Sequence, residues 1–516
     1  MMIRVHLILG LVLIAFTALC QVPTISSFTP DSGPTGASVT ITGTNFSATP
    51  ANNVVYFGAT RATVTAATVT QLTVTVPAGA SPQPISVLVG GLVANSAKPF
   101  IVTFNGVGIT ATSFTAQTNF TAGSGSQSIS IGDLDGDGKA DLVTANNFAS
   151  SLSVLRNTST IGTVSFAAKT DFAYSIPTSV SIADVDGDGK QDMIATSANL
   201  NVVSVYRNTS TVGTISFATK VDFNTGPNPQ AIAFGDMDGD GKMDLVVSNG
   251  NSSTVSVLRN TGTIGTISFA AKLDMLTGVF GLIPYIISIG DLDGDGKVDL
   301  AIANSNNSIG IIRNTSTPGA LSFSATVNFA AGVQPRSLAI GDLDGDGKAD
   351  LAVTNSSDNT ISLFRNTSTA GTISFVAKVD ITASSGPYSV SFGDINGDGL
   401  IDMAVANANS NTVSVFGNTS TVGSISFAAR SDFATNTGPR SVALGDLDGD
   451  GKLELFAGSN VSLVSVHRNI IKINQSIAFG ALPTKTFGDA SFTLTATSSS
   501  ALPVSYTSSN TSVATV

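Results

Sequence analysis

Apolar and polar residues alternate along most of this chain with a period of two, in short runs divided by Gly, Asn, Ser and Pro. No stretch sustains the 3.6-residue period of an amphipathic helix. The chain therefore reads as all-β. In residues 24–103 the runs Ser38–Ile41, Val54–Phe57, Leu72–Val76 and Ile85–Val89 are spaced as in a small β-sandwich.

From 104 to 469 the pattern repeats with a period near 52, and each repeat holds four strand-like runs. In the second repeat they are Ser179–Ala183, Asp192–Ser197, Val202–Arg207 and Thr214–Phe223. A lone four-stranded sheet cannot bury both faces, so repeats of this kind need neighbours, as in the blades of a propeller. The third run is apolar-Ser-apolar in nearly every copy (Val203-Ser204-Val205, Val413-Ser414-Val415), and the small middle residue is expected to let the next blade pack closely. After Arg468-Asn469 the seventh repeat has no fourth run, whereas Ser113–Phe120, ahead of the first repeat, reads like one. The expectation is seven blades, the last completed by a strand from the N-terminal side, which removes exposed sheet edges.

Between the first and second runs of every repeat lies Asp-x-Asp-Gly-Asp-Gly-x-x-Asp, or a close variant. Carboxylates at positions 1, 3, 5 and 9, with the backbone carbonyl of position 7, form an oxygen-only set suited to Ca²⁺, and the Gly at position 6 permits the turn. The candidate ligands are Asp133, Asp135, Asp137, Lys139 and Asp141; Asp184, Asp186, Asp188, Lys190 and Asp192; Asp236, Asp238, Asp240, Lys242 and Asp244; and Asp291, Asp293, Asp295, Lys297 and Asp299. They continue with Asp342, Asp344, Asp346, Lys348 and Asp350; Asp394, Asn396, Asp398, Leu400 and Asp402; and Asp446, Asp448, Asp450, Lys452 and Glu454. The lysines and Leu400 enter through their carbonyls. Asn396 costs loop six a charge, so weaker binding is expected there, and Glu454 makes the geometry of loop seven differ. About one Ca²⁺ per loop, up to seven, is expected.

These loops explain the charge. The chain carries a formal −11, and 27 of its 35 carboxylates are loop ligands. The acidity is thus a metal-site signature, and no basic cluster suggests nucleic acid. Residues 1–20 read as a signal peptide: Arg4, an apolar stretch from Leu7 to Phe16, then Ala18-Leu19-Cys20. Cleavage after Cys20 would leave a mature chain without a thiol; Cys20 could instead carry a lipid anchor. No later segment is long and apolar enough for a transmembrane helix.

Three resemblances add to this reading. Pro23–Gly36, Ile41-Thr42-Gly43-Thr44-Asn45-Phe46 and Val55-Tyr56-Phe57-Gly58 make residues 24–103 resemble an IPT/TIG domain, which implies an immunoglobulin-like spacer or binding module. Ile131-Gly132-Asp133-Leu134-Asp135-Gly136-Asp137-Gly138, with Asp141-Leu142 and six further copies, make residues 104–469 resemble the FG-GAP/VCBS repeats of integrin-α-like propellers. That resemblance implies a seven-bladed calcium-binding propeller and a role in adhesion. Residues 470–516 resemble the start of a bacterial immunoglobulin-like repeat, with too few strands for a sandwich, so the sequence is expected to be part of a longer protein. The chain as a whole is read as a seven-bladed calcium-binding β-propeller flanked by immunoglobulin-like β-sandwich modules.

Candidate ligand contacts fall on the face away from the metal loops. Seven residues before each loop stands Pro in six repeats, and the next position varies: Gln127, Thr178, Gln230, Tyr285, Arg336, Tyr388 and Arg440. One variable side chain per blade near the axis could form a binding ring. The apolar crossover Gly278–Tyr285 is a second candidate. Catalysis is not expected: beyond the leader the only His is His467, and no nucleophile-base set assembles. The Asn-Thr-Ser tripeptides fit a glycosylation pattern but recur in the same place, so they are read as turns. The third-strand arginines (Arg156, Arg207, Arg259, Arg313, Arg365, Arg468) are read as ion-pair partners. The expected function is a non-enzymatic, exported bacterial surface or secreted protein that binds an extracellular protein or glycan. A lectin, or the accessory part of a secreted enzyme, is the alternative.

Overall fold

The computed structural model describes residues 21–58, 60–77, 79–80, 84–104, 108–278, 281–472, 477–480, 490–498 and 504–508. The expected signal peptide with Cys20 lies outside them, as do Val279 and Phe280 of the apolar crossover and most of the C-terminal repeat, of which a single strand pair is described.

The N-terminal unit is built from seven hydrogen-bonded strands between Thr24 and Pro99. The strand Thr60–Ala67 pairs through its start with Asn53–Phe57 and through its end with Gln71–Thr75, so it passes from one layer of the sandwich to the other. Val39, Ile41, Val55, Phe57, Leu72, Val74, Ile85, Val87 and Phe100 fill the space between. Along Ser38–Thr44 and Gln71–Thr75 they alternate with exposed or half-buried neighbours, as a period-two pattern dictates.

The repeats form seven four-stranded antiparallel blades. Blade two runs Pro177–Ala183, Asp192–Ser197, Val202–Tyr206 and Val221–Asn224. Its fourth strand is shorter than the apolar run Thr214–Phe223 suggests, because Phe217 bridges to Asn208 and extends the turn instead. First strands of successive blades touch all round the ring, and that of blade seven touches that of blade one. Blade seven takes its fourth strand, Thr118–Thr121, from the N-terminal side, paired with Leu463–His467.

Seven apolar clusters hold the propeller, one at each blade boundary. Between blades two and three Ala183, Val185, Ile194, Val203 and Val205 meet Ile232, Leu245, Val247 and Leu258. Second strands are buried along their whole length, so no alternation survives there. The third-strand Ser is more than a small residue. Ser153 donates to Asp171 on the fourth strand (2.6 Å) and accepts from Asn146 on the second (2.8 Å), a buried polar rung across the blade that recurs at Ser256 and Ser362.

The immunoglobulin-like unit docks on the metal-loop face. Tyr56 Oη donates to Gly189 O in loop two (2.7 Å), and Val93 N to Gly241 O in loop three (2.6 Å). Phe104 N donates to Gly397 O in loop six (3.1 Å), and Gly79 N to Asp446 Oδ2 in loop seven (3.2 Å).

Candidate metal centres

Each loop leads from the first strand into a fully buried second strand, and local geometry shapes it before any ion is considered. In loop one Gly136 and Gly138 take φ of 77° and 85°, a region that favours glycine. Asp133 accepts from the amides of Gly136 and Gly138 (2.8 and 2.9 Å), Asp135 from Asp137 N (3.1 Å), and Asp137 from Lys139 N (2.9 Å). Asp141 sits at the base, 0% exposed, and accepts from Leu134 N (2.9 Å) and Asn157 N (2.8 Å). The same pattern holds Asp192, Asp244, Asp299, Asp350, Asp402 and Glu454, the last with a longer bond of 3.3 Å to Asn469 N.

Carboxylate oxygens of positions 1, 3 and 9 come within 4.8 Å of one another at Asp133/Asp135/Asp141, Asp184/Asp186/Asp192, Asp236/Asp238/Asp244 and Asp342/Asp344/Asp350. In loop four it is Asp291, Asp293 and Asp295 that meet. Burial, reinforced by the neighbouring carboxylates, pushes Asp133 up to about 6, Asp184 up to about 7, and Asp141, Asp192 and Asp244 up to about 8. Asp402 and Glu454 are raised well above the carboxylate range by the same burial. Buried like charges at this spacing ask for a cation, and these clusters could hold a metal ion.

The lysines at position 7 cross to the turn of the same blade: Lys139 reaches Ser159 O, Lys190 Ser210 O and Lys297 Ser316 O, each at 2.8 Å. The third-strand arginines, read as ion-pair partners, pair with position 3. Arg207 lies 2.9 Å from Asp186, Arg365 2.8 Å from Asp344 and Arg468 2.5 Å from Asp448; Arg313 pairs with Asp293. Arg156–Asp135 (4.0 Å) and Arg259–Asp238 (3.7 Å) are looser.

One set of residues went unrecognised in the sequence. The Asn of each Asn-Thr-Ser turn is 0–3% exposed, and its side-chain amide donates across the blade boundary. Asn208 Nδ2 bonds Leu134 O of loop one (2.8 Å) and Gln191 O of its own blade (2.7 Å). Asn260 reaches Val185 O, Asn314 Met237 O, Asn366 Leu292 O, Asn418 Leu343 O and Asn469 Ile395 O; Asn157 closes the circle on Leu447 O. Burial and these bonds leave the amides to the fold and none to a glycan. A signal was present: Asn469 stands where the other copies have Asn but is followed by Ile470-Ile471, so the Asn is needed where that turn is absent.

On the opposite face the seven variable side chains are all half-buried. Six of them sit at a β-bulge in the first strand, between the Pro or Ser before and the residue after.

Two family descriptions match the chain. The FG-GAP-like repeat matches residues 92–144, 133–195, 184–247, 291–353, 342–405 and 394–457, and the IPT/TIG domain matches residues 23–105. The chain belongs to the FG-GAP-like repeat family. Five of the six matches run from one metal loop to the next and rest on the repeat that builds the blades. No curated protein matches the chain. Among solved structures, a BBS1N chain from a complex with ARL6DN is 13% identical, with 70% of this chain and 99% of that one covered and a TM-score of 0.48. An auxiliary nutrient binding protein from Bacteroides thetaiotaomicron is 14% identical (87% and 98% covered, TM-score 0.38), and one from Bacteroides ovatus 15% (87% and 97%, TM-score 0.36).

Proposed function

We propose that this FG-GAP-like repeat protein is an exported, non-enzymatic bacterial surface or secreted protein whose propeller, stiffened by Ca²⁺, presents an extracellular protein or glycan with a binding face. The observation that carries the reading is the division of labour between the two faces. The metal-loop face is committed to structure: its carboxylates are bound to loop amides, its outer edge is stitched by the Asn ring, and the immunoglobulin-like unit covers loops two, three, six and seven. The opposite face carries the positions that change from blade to blade, on bulges that turn side chains out of the ladder.

Ca²⁺ fits the loops. Its oxygen ligands stand at about 2.3–2.6 Å, so any two lie within about 5 Å; the carboxylates of positions 1, 3 and 9 meet that limit in loops one, two, three and five, and those of positions 1, 3 and 5 in loop four. When bound, Ca²⁺ would offset the charge that burial makes costly; Asp133, Asp135 and Asp141, and their equivalents, would hold it. At the dissociation constants of about 10⁻⁴–10⁻³ M typical of extracellular modules, such sites fill outside a cell and serve as structural staples. His467 supports a non-catalytic reading: it is 2% exposed and bonded to Thr115 O at 3.0 Å beside the closing strand pair. No helix among the described residues is long and apolar enough to cross a membrane.

Thermal unfolding of the intact chain with excess EDTA and with Ca²⁺ added back, alongside metal analysis of the dialysed protein, tests the scaffold. A saturable rise in Tm with close to seven ions per chain is expected. An unchanged Tm with no bound calcium would sink the calcium reading.

A further inference from the structure

The propeller holds nine arginines. Seven pair with a carboxylate: the six third-strand arginines with their loops, and Arg430 with Asp432. Arg336 and Arg440 have no carboxylate within 4.0 Å among the described residues, and both belong to the variable ring. They are nonetheless held in place. The Arg336 guanidinium stacks over Tyr285 (4.3 Å to the ring centre) and lies 5.5 Å from Tyr388; that of Arg440 lies 5.4 Å from Tyr388 on its other side. Arg440 Nη1 also donates to Gln127 Oε1 (3.3 Å). Tyr285, Arg336, Tyr388, Arg440 and Gln127 thus touch in sequence across four blade boundaries, an arc at the axial mouth. Arg336 Nε is buried with no hydrogen-bond partner.

A strand position that begins at a bulge after Pro, with an unpaired cation wedged between two aromatic rings, is arranged at a cost unless something meets it. Guanidinium groups clamped on aromatic faces keep their planar forks fixed, which suits them to an oxyanion with two acceptors side by side. The remainder of the ring is neutral and polar. Thr178 bonds Thr196 and Pro229 O, and Gln230 bonds Asn228, so this half offers hydroxyl and amide groups and no charge. A ligand spanning the mouth meets an anion clamp on one side and hydroxyl partners on the other.

We infer that the axial mouth opposite the metal loops binds a saccharide bearing more than one carboxylate, with one carboxylate on Arg336, another on Arg440, and sugar hydroxyls toward Gln127, Thr178 and Gln230. The inference rests on the ligand-platform reading above and names the ligand class for that face. An acidic peptide offers the same carboxylates, and hexaglutamate therefore serves as the competing ligand in the test.

The test is calorimetric titration of the intact Ca²⁺-loaded chain with a hyaluronan hexasaccharide, its carboxyl-reduced neutral form, and a hexaglutamate peptide. Hyaluronan hexasaccharide is expected to bind, more weakly as salt rises, and the neutral form to lose most of the affinity. Arg336→Gln with Arg440→Gln should weaken binding about 10- to 100-fold, the range for charge-assisted hydrogen bonds, with Tm unchanged. Arg336→Lys should fall between, since it keeps the charge and loses the fork. No binding of the hexasaccharide, or binding indifferent to both arginine substitutions, overturns the inference, and hexaglutamate binding as tightly overturns the saccharide assignment. A parallel screen of the same protein on neutral glycans and extracellular proteins separates the two levels. A ligand found there that ignores the arginines leaves the platform reading standing and removes this one; no ligand in either experiment removes both.

Discussion

Replacing Asn208 by Ala tests whether the blades are stitched by the buried amide ring. The side chain donates to Leu134 O at 2.8 Å and Gln191 O at 2.7 Å, and accepts from Ser210 N at 2.8 Å; Asn208 itself is 1% exposed. Truncation leaves two carbonyls and one amide without these partners where water has little access. Each such buried loss costs about 1–3 kcal/mol, softened where a carbonyl keeps a second bond, so a total of about 2–4 kcal/mol is expected. At roughly 2.1 cal/mol/K per residue a propeller of this size moves about 1–1.5 °C for each kcal/mol, which gives a fall in Tm of about 3–5 °C. Two companions sharpen the test. Thr209→Ala removes only an exposed pairing with Ser216 Oγ and should cost about 0–0.5 kcal/mol. Asn208→Asp keeps the size and the acceptor for Ser210 but turns a charge toward two carbonyls, so it should destabilise at least as much as Ala. Urea unfolding with saturating Ca²⁺ reads all three. If Asn208→Ala matches Thr209→Ala, the amide is only a turn-former and the stitching argument is wrong.

Other consequences can be checked with the same preparations. Tyr56→Phe removes one bond between the immunoglobulin-like unit and loop two, and should lower stability by about 1 kcal/mol; an unaltered urea midpoint would argue against docking on the metal face. Burial holds His467 below its ordinary value of 6.5, so its contribution is complete above that value and is lost as pH falls beneath it. Protection of the Thr118–Thr121 amides, measured as exchange relative to the intrinsic rate at each pH, should therefore fall between pH 7 and pH 5, and His467→Gln should flatten that dependence. Asn396→Asp should lower the Tm measured in EDTA, while Asn396→Asp with Gly417→Arg should recover it; equal values for the two would deny that the arginine balances position 3.

The fold was largely legible because its signals are local and repeat. Period-two runs marked the strands, the glycine-carboxylate loops marked one end of each blade, and Ser113–Phe120 betrayed the closing strand by likeness to its counterparts. What escaped was spatial. Nothing near Tyr56 or Val93 says that they meet loops 133 and 148 residues further on, since docking depends on how two separately folded surfaces match. The Asn ring hid behind a motif with two ready explanations, a turn and a glycosylation pattern, and only its burial excludes the second.

Blade six shows why a substitution read alone can mislead. Asn396 looks like a lost ligand charge. Yet the same blade has Gly417 where the others carry the arginine that pairs with position 3, and Leu400 where they carry lysine. Elsewhere position 3 also accepts from a turn glycine of the next blade, as Gly213 N does to Asp135 (3.0 Å) and Gly423 N to Asp344 (3.0 Å). Blade seven has no such turn, because its fourth strand arrives from the N-terminal side. A carboxylate at position 396 would thus have lost both of its outer partners. The amide needs neither: Asn396 Nδ2 donates to Asp398 Oδ2 at 2.9 Å, and its Oδ1 accepts from Asp398 N at 3.0 Å. Four carboxylates with one arginine and one lysine leave a standard loop at −2, whereas loop six, with three carboxylates and neither cation, stands at −3. Local charge therefore opposes the weaker binding that one missing carboxylate suggests, and the way the ring closes accounts for the residue at position 396.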